Sequence, residues 1–372
     1  MQIPFHKTYI EQKEIDNVVD AIKSGWLTMG PKTVEFENKF ADYIGIEHAI
    51  ALNSGTAALH LALKAIGLEE SDEVILPTNT FVATAEVVTY FKAIPVLCDI
   101  TDDTLNIDVS KIEALITSKT KAIIPVHLHG QPCDMDEIMR IAKKHNLKVI
   151  EDAAHSLPAT YKGKNIGTIG DITCFSFYAT KTLAVGEGGM ATTHNEAYAK
   201  KIKINRLHGI SRDAWDRYTT KGSWYYEVVD NGHKYNSTDL ASALGLAQLQ
   251  KVEWMRDQRA KIAQKYDQAF KNTCITTPVI KSDRTTAYHI YNIRVKNRNE
   301  LIDKLKEEGI SASVHFIPIH KQPYYKKTYH LKDENYPVAN KVFAESLSLP
   351  IYPSLTDAQL DYICEKVIAN AQ

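Results

Sequence analysis

Apolar and polar positions change period repeatedly along this chain, and each change marks an element. Residues 9–24 carry apolar side chains at Ile15, Val18, Val19 and Ile22, which predicts a helix stopped at Gly25. A second helix is expected over 33–44, then the short apolar run HAIAL, then a helix rich in Ala and Leu. Strand-like and helix-like stretches alternate from there: EVILP, a helix over 81–91, IPVLCDI, a helix over 111–116, KAIIPVHLHG, a helix over 135–145 and LKVIEDA. Short apolar runs separated by helices describe an α/β architecture, a mainly parallel sheet covered on both faces.

The next strand pattern holds Ile172, Cys174, Phe175 and Phe177. It leads through small and hydroxyl residues to Lys181 and a glycine-rich turn at 186–189, then to a strand over 188–193 and a helix over 195–205. Residues 206–236 are rich in aromatic and charged side chains, a poor core segment that reads as a loop facing a substrate or a partner. A helical tract over 237–270, broken near Lys251, carries the expected domain boundary: a large domain over 1–250 and a smaller one over 251–372. The smaller domain reads as α+β, with strands over 288–295 and 311–316, a helix over 298–309, a Pro-, His- and Tyr-rich loop and a last helix over 357–368.

Composition narrows the function classes. Over 372 residues, 44 basic side chains nearly cancel 45 acidic ones, and no Lys/Arg stripe is interleaved with aromatics, so nucleic-acid binding has nothing to rest on. The N-terminal residues lack the apolar core of a secretion signal, and no run approaches the ~18 apolar residues of a membrane span. The five cysteines are scattered with no CxxC pair, as for buried thiols of a reduced compartment, and a cytoplasmic protein is expected. His127 and His129 alternate along a strand and no HExxH occurs, so no metal is expected.

Ligands of such sheets sit at the carboxyl ends of the strands, where Thr80, His127, Asp152, Ser176 and Lys181 all fall. A lysine among apolar neighbours is partly desolvated, which favours the neutral amine, a nucleophile toward a carbonyl. Asp152 ends the apolar strand in VIEDAAHS. An aldehyde cofactor with a basic ring nitrogen needs both groups: a lysine for the imine and a carboxylate to keep the ring nitrogen protonated. Those are the requirements of pyridoxal 5′-phosphate. Asn53, Ser54 and Gly55 precede Thr56 at the start of a helix, where free N–H groups and the helix dipole make an anion site. Taken singly, Lys181 also fits a surface lysine, Ser54 a plain helix cap and Asp152 a capping carboxylate.

The stretches SGWLTMGPKTVEFE, ALNSGTAALHLAL, PTNTFVATAE, AIIPVHLHGQPCDMDEI, VIEDAAHS, FSFYATKTLAVGEGGM and HKYNSTDL occur in the order found in the DegT/DnrJ/EryC1/StrS sugar aminotransferases, which the chain resembles from about residue 3 to 369. The resemblance implies the pyridoxal-phosphate fold type I, with a mainly parallel seven-stranded sheet and a smaller C-terminal α+β domain. It implies Lys181 as the Schiff-base lysine, present here where the family's 3-dehydratases have histidine. It places Asp152 on the ring nitrogen, His155 near the O3′ side, Phe81 on the ring face, and Gly55, Thr56 and Ser176 at the phosphate. Asn236 would reach the neighbouring subunit's site, making the protein a homodimer with shared sites. The amino donor would be L-glutamate, and the acceptor C4 of a UDP-linked 4-keto, 6-deoxy sugar. A dTDP- or GDP-linked keto sugar aminated at C4 or C3 is the alternative, and a keto-cyclitol a further one. Arg212, Arg217 and Lys221 offer charge for a diphosphate, Trp215, Tyr218, Tyr225 and Tyr226 flat faces for base or sugar, and His315 and His320 further contacts.

Overall fold

In the computed structural model, which describes residues 1–211 and 225–372, strands buried on both faces are drawn into one sheet between two helical layers. Its strands are β1 (His48–Leu52), β2 (Glu73–Pro77), β3 (Ile94–Cys98), β4 (Thr120–Ile123), β5 (Lys148–Asp152), β8 (Ile172–Ser176) and β9 (Gly189–Thr193), with a hairpin of β6 (Thr160–Tyr161) and β7 (Lys164–Asn165) outside it. The seven lie in the order β1-β9-β8-β5-β4-β2-β3. Within this sheet β9 alone runs against its neighbours, pairing antiparallel with both β1 and β8.

Alternate residues of each strand serve opposite cores. Ile50, Leu52, Val74, Leu76, Ile150 and Ile172 face a layer built from α3 (Gly55–Ala65), α4 (Val82–Thr89) and α7 (Glu196–Asn205). Ala49, Ala51, Ile75, Ile123, Val149, Phe175 and Met190 face a layer that includes α2 (Pro31–Ile44), α6 (Met135–His145) and α8 (Asp239–Leu249). Two-sided burial is why these runs read as near-continuous apolar stretches rather than as alternation. The helix expected over 111–116 is a single turn, α5 (Val109–Ile112), followed by a 3₁₀ turn.

The helical tract breaks where expected, with α8 ending at Leu249 and α9 (Val252–Phe270) beginning beyond Lys251. Val252 and Met255 of α9 join the large core, whereas Ile262, Ala263, Tyr266 and Phe270 join a third core. That core also holds β10 (Tyr291–Arg294), α10 (Arg298–Glu307), β11 (Ser346–Leu349) and α13 (Asp357–Asn370). We propose the boundary at 250/251, at the break between α8 and α9, with the start of α9 and with α11 (Pro323–Thr328) and α12 (Pro337–Glu345) packing back against the large domain through Val252, Met255, Tyr325, Ala339 and Val342.

Two local expectations are corrected. Residues 311–316 form no strand: Ile310 bridges to Ile3 and Ser313 to Ser348, so the segment changes partner before a ladder is established. The partner of β10 is instead β11, in antiparallel register from Tyr291–Leu349 to Arg294–Ser346. On α1 (Gln12–Lys23) the apolar stripe does not enter the core. Ile15, Val19 and Ile22 are 49%, 37% and 55% exposed, while Glu14 and Ala21 are buried. Glu14 points inward because Lys251 and the Gln248 amide meet its carboxylate. Among the described residues, no helix is long and apolar enough to cross a membrane.

Candidate active site

The carboxyl ends of β5 and β8 and the start of α3 open on one cavity of about 400 Å³. Gly55, Thr56, Phe81, Asp152, His155, Ser176 and Lys181 all line it, together with Phe5, His289, His315 and Phe316. Lys181 sits in the turn after β8, its N–H donating to the Tyr178 carbonyl at 2.8 Å. Its Nζ lies 3.4 Å from His289 Nε2. Burial lowers the lysine to about 8, with the Asp152 carboxylate opposing the shift. A useful fraction of neutral amine therefore exists near neutral pH.

Asp152 is 5% exposed. Its Oδ1 accepts the Ala154 N–H at 3.1 Å and its Oδ2 accepts the Thr84 hydroxyl at 2.8 Å. Burial raises the carboxyl above its ordinary value, and those two hydrogen bonds and Lys181 pull it back. His155 accepts the His129 N–H on Nδ1 at 3.2 Å, which leaves Nε2 as the protonated nitrogen of a neutral ring. Burial, then Lys181, holds His155 well below the usual imidazole value.

At the opposite end, Ser54 caps α3 by accepting the Ala57 N–H at 3.0 Å. The N–H groups of Gly55 and Thr56 have no intrahelical carbonyl within reach. A Cβ on Gly55 would fall 2.9 Å from Ser176 Cβ, so glycine is what keeps the space between α3 and β8 open. Ser54 as a cap and the helix start as an anion site are therefore compatible readings. The Phe81 ring is 56% exposed beside the cavity and packs against Phe316 with centroids 5.6 Å apart.

A profile of the DegT/DnrJ/EryC1/StrS aminotransferases matches residues 8–368. The chain belongs to that family. It is 48% identical to the spore coat polysaccharide biosynthesis protein SpsC of Bacillus subtilis, over 98% of this chain and 96% of SpsC. It is 40% identical to GDP-perosamine synthase of Caulobacter vibrioides, over 95% and 94% of the two chains. Its structure matches the PLP form of Spr1654 from Streptococcus pneumoniae with TM-score 0.93, 35% identity and coverage of 99% and 98%. This family member is a pyridoxal-phosphate-dependent aminotransferase.

The cavity fits that cofactor on its own donor set. A primary amine, a buried carboxylate, an open helix start and an exposed aromatic ring converge there, which is what an aldehyde, a ring nitrogen, a phosphate and a flat ring face require. Among the described residues, no group of three or more His, Cys, Asp or Glu side chains is placed to hold a metal ion.

Other expected residues lie elsewhere. Asn236 lies in a neighbouring shallow cavity with Val18, Asn53 and Glu187, and its buried Oδ1 has no partner among the described residues. His315 reaches the cavity and bonds the Ser348 hydroxyl through Nδ1 at 2.9 Å. His320 is fully buried outside the cavity, between Thr78 Oγ1 at 2.7 Å and Asn340 Oδ1 at 3.0 Å, and fastens the C-terminal segment to the end of β2. Arg212, Arg217, Lys221, Trp215 and Tyr218 lie outside the described residues.

Sequence reasoning missed Thr84 and His289. Thr84 follows Thr80 by one helical turn, so its spacing was a usable signal. His289 comes from the strand-like run YHIYNIRV, where nothing local marks it for Lys181.

Proposed function

We propose that the chain moves an amino group from L-glutamate to C4 of a UDP-linked 4-keto-6-deoxy sugar, in two half-reactions at one cavity. The observation that carries the reading is Lys181, lowered to about 8 and sharing one cavity with buried Asp152 and the start of α3. In this reading Gly55, Thr56 and Ser176 hold the phosphate, Phe81 covers one face of the ring, His155 lies on its O3′ side and Asp152 accepts from the ring nitrogen. Bound there, pyridoxal phosphate supplies a carbonyl that condenses with primary amines and a ring that delocalises carbanion charge. Lys181 then takes a proton from the amine-bearing carbon of the donor and returns one on the way to the product. Its lowered basicity suits both directions near neutral pH. The carboxylate of Asp152 holds the proton on the ring nitrogen through a charge-assisted bond. Phe81 and Phe316 keep water from the reacting carbon.

A nucleotide-linked acceptor is supported by SpsC and GDP-perosamine synthase, whose names place them in polysaccharide biosynthesis and in making a GDP-linked product. The second of these favours a GDP-linked 4-keto sugar as the competing reading. Turnover of UDP-, dTDP- and GDP-linked 4-keto-6-deoxy sugars, with product regiochemistry read by NMR, separates them. A highest kcat/KM for the UDP sugar with amination at C4 is expected. A clear preference for GDP or dTDP, or amination at C3, overturns the acceptor and leaves the transaminase chemistry standing.

The same reading makes the protein a homodimer. Ile15, Val19 and Ile22 are exposed apolar side chains of α1, and Leu27 and Val34, further along the chain, are exposed as well. Covering each would contribute about 1–2 kcal/mol. Asn236 stands beside Val18, where a second protomer seated on α1 would bring it toward the partner's cavity.

A further inference from the structure

Asp152 carries its charge with little counter-charge around it. The ionisable groups acting on it are Lys181 beyond β8, Cys174 on β8 and His127 after β4, while His155 lines the same cavity and Glu151, its neighbour on β5, points to the other face of the sheet. His127 is turned to other partners: Nδ1 accepts the Cys133 N–H at 3.1 Å and Nε2 bonds Glu151 at 2.9 Å. His155, whose Nδ1 accepts the His129 N–H, is held neutral by burial. Glu151 adds a second buried negative charge, met by the Thr173 hydroxyl at 2.7 Å, the Gly170 N–H at 2.7 Å and His127. Among the described groups, Lys181 offsets the Asp152 charge more than His127 does, and the proposed chemistry occupies that amine.

What remains are hydrogen bonds. Thr84 Oγ1 donates to Asp152 Oδ2 at 2.8 Å, and Thr80 Oγ1 lies 2.7 Å from Thr84 Oγ1. Both threonines are buried: Thr84 lies in the first turn of α4 and Thr80 just before its N-cap, Phe81. An ionised carboxylate only accepts, so the Thr84 proton points at Asp152 and the Thr80 proton at Thr84. Each bond in that chain polarises the next.

We propose that Thr84, backed by Thr80, is the positioning residue that keeps Asp152 ionised and aimed for the cofactor's ring nitrogen. The inference rests on the reading of Asp152 as the partner of that nitrogen. Burial favours the protonated carboxyl, and the Thr84 hydroxyl is the largest of the effects that oppose it. Removing that hydroxyl raises the proton affinity of Asp152. Cofactor affinity that needs the carboxylate is present above the Asp152 value and lost as pH falls through it. In a Thr84→Val protein this loss occurs at higher pH. A hydroxyl that only packs would leave the pH midpoint where it is.

Equilibrium dialysis of the holoenzyme against pyridoxal phosphate over a pH series tests this without turnover. Thr84→Val keeps the volume of the side chain and removes its donor. Near pH 7 it should bind the cofactor roughly tenfold more weakly, the scale of one hydrogen bond to a charged group. Its pH midpoint should move up, and Thr84→Ser should restore both. Asp152→Asn should flatten the profile. A wild-type profile in Thr84→Val, beside a flat one in Asp152→Asn, overturns the role of Thr84 alone. An unchanged profile in Asp152→Asn removes the underlying reading of Asp152. Should Thr84→Val fail to fold, Thr80→Val carries the test: a smaller upward move of the midpoint is expected, and a wild-type profile overturns the relay.

Discussion

Asp152 and Lys181 occupy one cavity that penalises both charged forms, and the neighbours decide which charge survives. Two hydrogen-bond donors hold the Asp152 carboxylate, whereas Lys181 is left with the Asp152 charge and a long contact to His289. Asp152→Asn should fold normally yet lose at least ~100-fold in turnover, the scale of removing a preorganised electrostatic partner. Glutamate half-reaction rates near those of the wild type would reduce Asp152 to a cap. For Lys181 the sign is opposite to that of a carboxyl: the neutral, nucleophilic amine is the high-pH form. Trapping of a simple aldehyde by Lys181 in the cofactor-free protein should rise with pH through a midpoint near 8, and a midpoint in the ordinary lysine range would contradict the burial argument. Both residues were legible in the sequence because strand-end position and apolar flanks are local properties. His289 was not, since it meets Lys181 across 108 positions of chain. His320 drew notice in a polar, Pro-containing segment, and nothing local showed that Thr78 and Asn340 would bury it.

At the scale of elements, the site depends on how closely β9 and α3 approach. A Cβ on Gly189 would lie 2.3 Å from the Ser54 carbonyl oxygen and 2.7 Å from Gly55 N, against backbone that cannot swing aside. Gly189→Ala should therefore destabilise the protein by about 1–3 kcal/mol, as overpacking does, and weaken cofactor binding in addition. Urea unfolding with and without pyridoxal phosphate reads both, and unchanged stability and affinity would mean that the α3 start has slack. The strands of the large sheet were readable because burial on both faces writes continuous apolar runs. In the smaller domain each strand has few partners, and the pattern misleads. Residues 311–316 have a strand-like composition, yet their backbone is divided between Ile3 and Ser348. β11, with the sequence SLSL, is found by pairing with β10 rather than by its own pattern.

For the whole molecule, the apolar face of α1 is left exposed among the described residues. Its stripe was visible in the sequence, but periodicity reports an apolar face and not which chain covers it. Joined to the Asn236 Oδ1, which has no partner among the described residues, that face leads to the proposed shared site. Lys181→Ala and Asn236→Ala proteins, mixed in equal amounts and allowed to exchange subunits, should regain about a quarter of native activity per site, because half the dimers are mixed and one site in each is intact. Verified exchange with no gain over the separate proteins would show that Asn236 serves its own chain.

Lys181 is the residue proposed to hold the cofactor. Borohydride reduction of the holoenzyme, followed by proteolysis and mass spectrometry, measures this directly. The pyridoxyl group should be found on Lys181, and glutamate added before the borohydride should abolish the labelling. Label on any other lysine, or an unlabelled Lys181 in protein that holds a full complement of cofactor, would contradict it.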